Sequence, residues 1–246
     1  KKKKNTPMGG FQGSLSEVTP PNLGATAIKA ALNNSGLAAD DISEVIMGNV
    51  LPAGLGQAPA RQAMLHADLP RSTGATTINK VCGSGLKAAM MAHDLIKAGS
   101  ADVVLAGGME SMSNAPYMLP KGRSGYRMGH GQVLDHMMLD GLEDAYEHKA
   151  MGCYAQDTAD EYGLGREAMD EFAIHSLTKA QAAIKDGFFK DEITPVTYST
   201  RKGDVTVDTD EQPGKARLDK IPQLRAAFKK DGTITAANSS SISDGA

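Results

Sequence analysis

Apolar residues recur at two different periods along the chain, and the switching between them predicts the elements. Leu23, Ala27, Ala30 and Ala31 recur at helical spacing over residues 21–36, with Gly36 as a stop signal. Residues 44–51 read as a strand, 58–69 as a helix, and the β-branched run 73–81 as a strand. A helix is predicted over 82–98 and an apolar strand over 101–106, ending at Gly107-Gly108. Alternating helices and strands predict an α/β fold, a mixed but mostly parallel sheet with helices on both faces. In the 82–98 helix, Leu86, Ala89, Met90 and Ile96 share one face, while Ala88, Met91, Ala92 and Leu95 cover much of the rest. A helix apolar nearly all round is expected to be covered on more than one side.

The alternation stops at residue 108. Residues 108–151 are rich in Met, Gly, Ser and Pro, with one helical stretch over 133–145, and read as a functional loop, an interface element or a disordered segment. Helical pattern returns over 154–162 and 166–185, and 193–198 reads as a strand. Residues 201–232 are polar and charge-mixed and read as an excursion, and 238–246 as a small-residue loop. Lys1 to Lys4 form a charge run with no apolar segment behind it, which reads as a solvated leader rather than a secretory signal.

Composition narrows the function classes. The 246 residues suit one large domain or two small ones. A net charge of −3 lacks the basic excess of a nucleic-acid binder. Aromatics are 4% and tryptophan is absent, so aliphatics, alanine and 13 methionines must fill the core. Two cysteines are no disulfide framework, which points to a reducing, cytoplasmic setting, and no apolar run has the length of a spanning helix.

Asn79-Lys80-Val81-Cys82-Gly83-Ser84-Gly85-Leu86 is the strongest local signal. It delivers a cysteine from a strand to the predicted first turn of a helix, where N–H groups and the dipole favour a thiolate. Gly83 and Gly85 leave room for an acyl carbonyl to approach the sulfur, and the Cys82 N–H could face a developing oxyanion. A small buried hydrophobe is an equally good reading of Cys82 from spacing alone. A nucleophilic cysteine needs a base, and the chain offers His66, His93, His130, His136, His148 and His175. His93 reads as a core histidine and His66 and His175 as surface residues, while nothing selects among the others. Cys153 lacks the glycine-rich context and reads as structural. The histidines are too scattered for a metal motif, and Gly83-Ser-Gly85 lacks the third glycine of a dinucleotide turn. Arg201, Lys202, Lys215, Arg217, Lys220 and Arg225 could embrace phosphates, diluted by Asp204, Asp208, Asp210 and Glu211. A solvated loop explains them equally well.

Residues 79–86 resemble the nucleophile motif of thiolases, the acyl-CoA acyltransferases. Thr6-Pro-Met-Gly resembles that family's N-terminal Arg-Thr-Pro turn, with Asn5 in place of the arginine. Ala106-Gly-Gly-Met-Glu-Ser-Met-Ser113 and Ala237-Asn-Ser-Ser-Ser-Ile-Ser-Asp-Gly-Ala246 are similar to two further family segments, in the family's order. The resemblance implies a thiolase-like fold with an inserted loop domain: residues 1–107 as the first part of the N-terminal domain, 108–232 as the loop domain, and 233–246 as the return.

The resemblance also implies the chemistry. Cys82 would take the acyl group as a thioester, in acetyl-CoA acetyltransferase or 3-ketoacyl-CoA thiolase chemistry within fatty acid metabolism. Residues 201–230 would form the coenzyme A loop, with Arg217 near the adenosine end and Ser240 on the pantetheine arm. Coenzyme A would be substrate rather than cofactor, with no metal, nucleic-acid or membrane partner. Residues 108–151 would cover the acyl pocket and supply the contact of a homo-oligomer, a dimer or tetramer. Ala150 stands where short-chain thiolases often carry histidine. The activating histidine and the second catalytic cysteine of thiolases have no counterpart here. They belong to a C-terminal domain, so the chain reads as an N-terminal and loop domain trimmed at both ends, turning over poorly alone. Two alternatives are a non-catalytic coenzyme A-binding or assembly module and a ketoacyl synthase relative.

Overall fold

The structure is a computed structural model describing residues 3–246. The solvated-leader reading therefore falls partly, at Lys1 and Lys2, outside the described residues. The chain divides into two compact units. The first comprises Lys1–Asn114, Phe188–Glu211 and Ser243–Ala246, and the second Ala115–Gly187 and Gln212–Ile242.

The first unit contains, in chain order, β1 (Gly9–Gly10), α1 (Pro20–Ser35), β2 (Glu44–Gly48), α2 (Pro59–His66), β3 (Gly74–Ile78), α3 (Ser84–Lys97), β4 (Val104–Gly108) and β5 (Glu110–Ser111). Three of these strands form a parallel sheet in the order β3-β2-β4, with Glu44 opposite both Gly74 and Val104. The connection from β2 to β3 steps one way along the sheet, and that from β3 to β4 steps back past β2. Parallel crossovers are right-handed almost without exception, so the reversal sends α2 and α3 to opposite faces. Side-chain parity agrees. Val45 and Met47 pack with Ala25, Ile28 and Leu32 of α1 and Ala60, Ala63 and Met64 of α2, whereas Gly48, on the other face, meets Ser84 of α3.

Four expectations for this unit need correction. The strand read at 101–106 runs instead over Val104–Gly108. Gly107 and Gly108 look like a turn in sequence, but they stay in the ladder opposite Met47 and Gly48, with Gly107 against the Met47 side chain and Gly108 against Gly85 of α3. The 82–98 helix starts at Ser84, leaving Cys82 ahead of it. That helix is not covered all round: only Ser84, Ala88 and Ala92 are buried, while Leu86 is 71%, Met90 51% and Ile96 45% exposed. A single sheet covers a single stripe of a helix. His93, read as a core residue, is accordingly exposed and paired with Asp94 at 3.1 Å.

The chain end is a strand rather than a loop. Ser243–Gly245 lies between β1 and β5 in a three-stranded antiparallel sheet, with Asp244 opposite both Gly9 and Ser111. The excursion read from residue 201 begins instead as half of an antiparallel hairpin, Val196–Thr200 with Gly203–Val207. Its apolar positions Val196, Tyr198, Val205 and Val207 alternate with Thr, Ser and Asp, and of its strand residues only Val196 and Val207 are buried, against Leu15, Val18 and Leu23.

The second unit is built on α4 (Met151–Glu161) and α5 (Arg166–Asp186), both foreseen by periodicity. The helical stretch read at 133–145 reduces to a single π-helical turn, Met138–Leu142, beside a short pairing of Tyr117–Met118 with Leu134–Asp135. Gln156, 2% exposed, ties α4 to the segment beyond residue 232. Its Oε1 accepts from the N–H groups of Thr233 and Ile234, and its Nε2 donates to Thr233 Oγ1 and Asp160 Oδ1. The Lys229 ammonium donates to Asp160 Oδ2 at 2.5 Å, and Lys229 and then Gln156 hold the Asp160 carboxyl below its ordinary value.

Two outcomes follow from this packing. A Cβ added at Gly48 would lie 2.6 Å from Ser84 Cβ and 2.8 Å from Gly85 N, so Gly48→Ala should destabilise by about 1–3 kcal/mol in denaturant unfolding. A depressed carboxyl stabilises above its unfolded value and loses that contribution as pH falls through its folded one. The thermal-midpoint gap between wild type and Lys229→Met should therefore be present at about pH 6 and close towards about pH 3.

Candidate active site

In open α/β sheets, ligands bind outside the carboxyl ends of the strands, where neighbouring connections leave to opposite faces. Here that point lies between β2 and β3, since β2 leads to α2 on one face and β3 to α3 on the other. Asn49 N–H donates to Ile78 O at 3.0 Å, which carries the pairing one residue past β2. The loop 79–83 then turns across the edge, and exposed Cys82 stands on it.

The loop is tightly held. Asn79 Oδ1 accepts from Val81 N–H at 2.8 Å. Ser84 Oγ accepts from Lys80 N–H at 2.8 Å and donates to Val81 O at 2.6 Å. Gly83 N–H donates to Lys80 O and Ser84 N–H to Val81 O. Between these bonds Val81 sits at φ +48°, a conformation that costs a β-branched residue about 1–3 kcal/mol and persists only where its surroundings over-determine it. The strain lies one residue before the cysteine, so Cys82 is held clear of the sheet.

What lets the loop descend so close to the sheet is the absence of side chains beneath it. Gly48 lies under Ser84 and Gly85, and a Cβ on Gly108 would lie 3.4 Å from Gly85 Cα. These glycines come from three separate strands or helices, so their role emerges only in the fold. The small-buried-hydrophobe reading of Cys82 fails on exposure. The placement in a helix's first turn fails too, since the helix begins two residues later.

Neither histidine of this unit reaches Cys82. His93 is nine residues into α3, ~14 Å along its axis. His66 ends α2 on the opposite face, at the end of the sheet away from the loop. In the second unit, His136 is buried with Nδ1 2.5 Å from Asp140 Oδ2, while His130, His148 and His175 are exposed. Cys153 is half-buried in α4.

One group of polar residues escaped the sequence reading. Glu110 Oε1 accepts from Asn49 Nδ2 at 2.7 Å and from Leu51 N–H at 3.1 Å, and Oε2 accepts from Val50 N–H at 2.7 Å. Asn49 is 1% exposed and also donates to Met109 O, leaving its Oδ1 buried without a partner among the described residues. Glu110 belongs to the 106–113 segment, and the signal available in sequence was a carboxylate two residues after a glycine-rich strand end.

Three of the four recognised segments meet in the antiparallel sheet. Thr6 N–H donates to Ala246 O at 2.8 Å, and Ala246 N–H to Thr6 Oγ1 at 2.9 Å. Asp244, fully buried, accepts from Ser111 Oγ and Ser113 N–H. Glu211, counted in sequence as diluting a basic loop, binds the β1 turn instead: its Oε2 accepts from the N–H groups of Gly10 and Ser14.

The coenzyme A candidates lie in the second unit. Arg217 is exposed, and its guanidinium holds Asp219 through Nε and Nη2 at 3.3 and 2.9 Å. Ser240 is exposed just beyond a self-bonded turn, in which Thr235 and Asn238 bond each other and Ser239 Oγ donates to Thr235 O at 2.6 Å. Arg201 and Lys202 form the hairpin turn of the first unit, so the basic residues are divided between units. Among the described residues, no helix is long and apolar enough to cross a membrane.

Comparison with known proteins gives these features a family. Residues 2–246 match the family described as thiolase, N-terminal domain. The chain is 52% identical over 243 residues to an acetyl-CoA acetyltransferase of Chromobacterium violaceum and 50% identical to one of Escherichia coli. In both cases the match covers 98% of this chain and 62% of the relative. A thiolase from Ascaris suum, solved in complex with coenzyme A, superposes with a TM-score of 0.91 at 40% identity, again over 98% of this chain and 62% of that one. The chain thus spans about three-fifths of these relatives, and it belongs to the thiolase N-terminal domain family.

Proposed function

We propose that this chain carries the nucleophile of a thiolase-type acyltransferase, with Cys82 taking an acyl group from acyl-CoA. The observation behind this reading is the placement of Cys82: exposed, on a strained junction, at the carboxyl edge of a parallel sheet where the connections diverge. The Cys82 thiolate attacks the thioester carbonyl, the carbon–sulfur bond to coenzyme A breaks, and coenzyme A leaves with a proton. The α-carbon of a second acyl-CoA, having lost a proton, then attacks the acyl-enzyme. A carbon–carbon bond forms and the Cys82 thiolate is released, giving a 3-ketoacyl-CoA. Thiolysis is the reverse. Acetyl-CoA is the proposed acyl donor, on the strength of the relatives' names.

Coenzyme A enters this scheme as substrate and leaving group, with no resident cofactor. Arg217 is the candidate for its phosphates, exchanging Asp219 for a ligand anion, and Ser240 for its pantetheine arm. Residues 108–151 are proposed to cover the acyl chain and to carry a homo-oligomer contact, in a cytoplasmic dimer or tetramer acting in fatty acid metabolism. Turnover by this chain alone is expected to be low, because neither His66 nor His93 reaches the sulfur.

The exposed stripe of Leu86, Met90 and Ile96 favours a second reading, a non-catalytic coenzyme A-binding or assembly module that uses α3 as an apolar docking face. Iodoacetamide labelling resolved by peptide mass separates the two. A nucleophile at a substrate site should label at Cys82 and be protected by acetyl-CoA, while Cys153 in the same molecule is unaffected. Labelling of Cys82 that is indifferent to acetyl-CoA supports the module.

A further inference from the structure

Bonds running away from the cysteine loop reach a carboxylate on another strand. Val81, held at φ +48°, is bracketed by Asn79 Oδ1 on its N–H and Ser84 Oγ on its carbonyl. The other end of the Asn79 amide donates to Val50 O at 3.4 Å. Val50 N–H is held in turn by Glu110 Oε2 at 2.7 Å, and Glu110 Oε1 holds the next N–H, of Leu51, together with the Asn49 amide. The Asn49 side chain cannot reverse without losing both of its acceptors, Met109 O and Glu110. The Val50–Leu51 peptide unit, its C=O bonded by Asn79 and its N–H by Glu110, therefore connects a half-buried carboxylate to the strained residue beside the sulfur.

We infer that Asn79 and Glu110 are positioning residues for Cys82: Glu110 fixes the 49–51 loop, and Asn79 transmits that fixed reference to Val81. Neither touches the reacting atoms. The inference rests on the acyl-acceptor reading of Cys82 and adds how the sulfur is aimed. Ser84 alone cannot do this. Its hydrogen bonds stay within the turn and its packing over Gly48 lies beneath the loop, so it tightens the loop without referring it to the 49–51 segment. The 3.4 Å bond is the weakest of the set, so its contribution comes from geometry rather than strength. Acyl transfer needs the sulfur, the carbonyl and the leaving group in one alignment, and small misplacements cost large factors. Alkylation of an exposed thiol by a small reagent has no such demand.

That contrast supplies the test. The full chain, as wild type, Asn79→Ala, Glu110→Gln and the double variant, is reacted with acetyl-CoA and with iodoacetamide, and Cys82 is followed by peptide mass. Asn79 is exposed, so Asn79→Ala keeps the test independent of folding even if Glu110→Gln loosens the edge. Each single variant should slow acetyl transfer at saturating acetyl-CoA by about tenfold or more. The half-saturating concentration and the alkylation rate should stay within about twofold of wild type. In the double variant the loss should be no greater than in the worse single one, because both act through one linkage. Unchanged transfer in Asn79→Ala overturns the inference, as do losses that multiply in the double variant or equal slowing of alkylation. Wild-type protein that takes no acetyl group at Cys82 overturns the acyl-acceptor reading and this inference with it.

Discussion

The close approach of α3 to the parallel sheet is the constraint on which the rest of the first unit depends. Gly48 lies where a side chain would collide with Ser84 and Gly85, Gly85 and Gly108 face each other at van der Waals distance, and buried Ser84 locks the turn above them. Because the helix sits so low, the loop from β3 must turn sharply, and the sharpness appears as the positive φ of Val81. The strain is local, but what sustains it is spread across β2, β3, β4 and β5. Such an arrangement resists change at the glycines and tolerates it on the outer face of the helix, where Leu86 and Met90 are exposed.

The same logic explains why distant segments carry one signature. Residues 6–10, 110–113 and 243–246 are far apart in the chain but meet in one small antiparallel sheet, cross-braced by Thr6, Ser111 and Asp244. Beside it, Glu110 reaches from that sheet to the loop ending β2. The antiparallel sheet is thus a frame whose placement reaches the Cys82 loop through a few hydrogen bonds, rather than an appendage to the parallel one.

Sequence reading saw the repeating elements well. α1, α4 and α5 emerged within a few residues from periodicity alone, and so did the parallel topology. It went astray where small residues carry structure. Gly107-Gly108 and Ser243–Gly245 resemble turns, yet both are strands, because a close neighbour excludes larger side chains or a partner strand supplies the pairing. The burial of α3 was overstated for a different reason: an apolar composition announces what a helix can cover, not what is present to cover it. At the site, Cys82 was legible as a motif, but the strain at Val81 and the reach of Glu110 were not. Val81 is held by bonds within residues 79–84 that leave no mark in the hydrophobic pattern, and the reach of Glu110 spans about 60 positions, which no local window contains.

The first unit presents an exposed cysteine on a strained loop at the carboxyl edge of its parallel sheet, and the proposed function makes that sulfur the acceptor of the acyl group. Incubation with acetyl-CoA followed by peptide mass mapping addresses this most directly. A single acetyl group on Cys82, released by hydroxylamine as a thioester must be and absent from Cys82→Ala, is the expected result. Acetylation spread over lysines, or found on Cys153 with Cys82 unmodified, would contradict it.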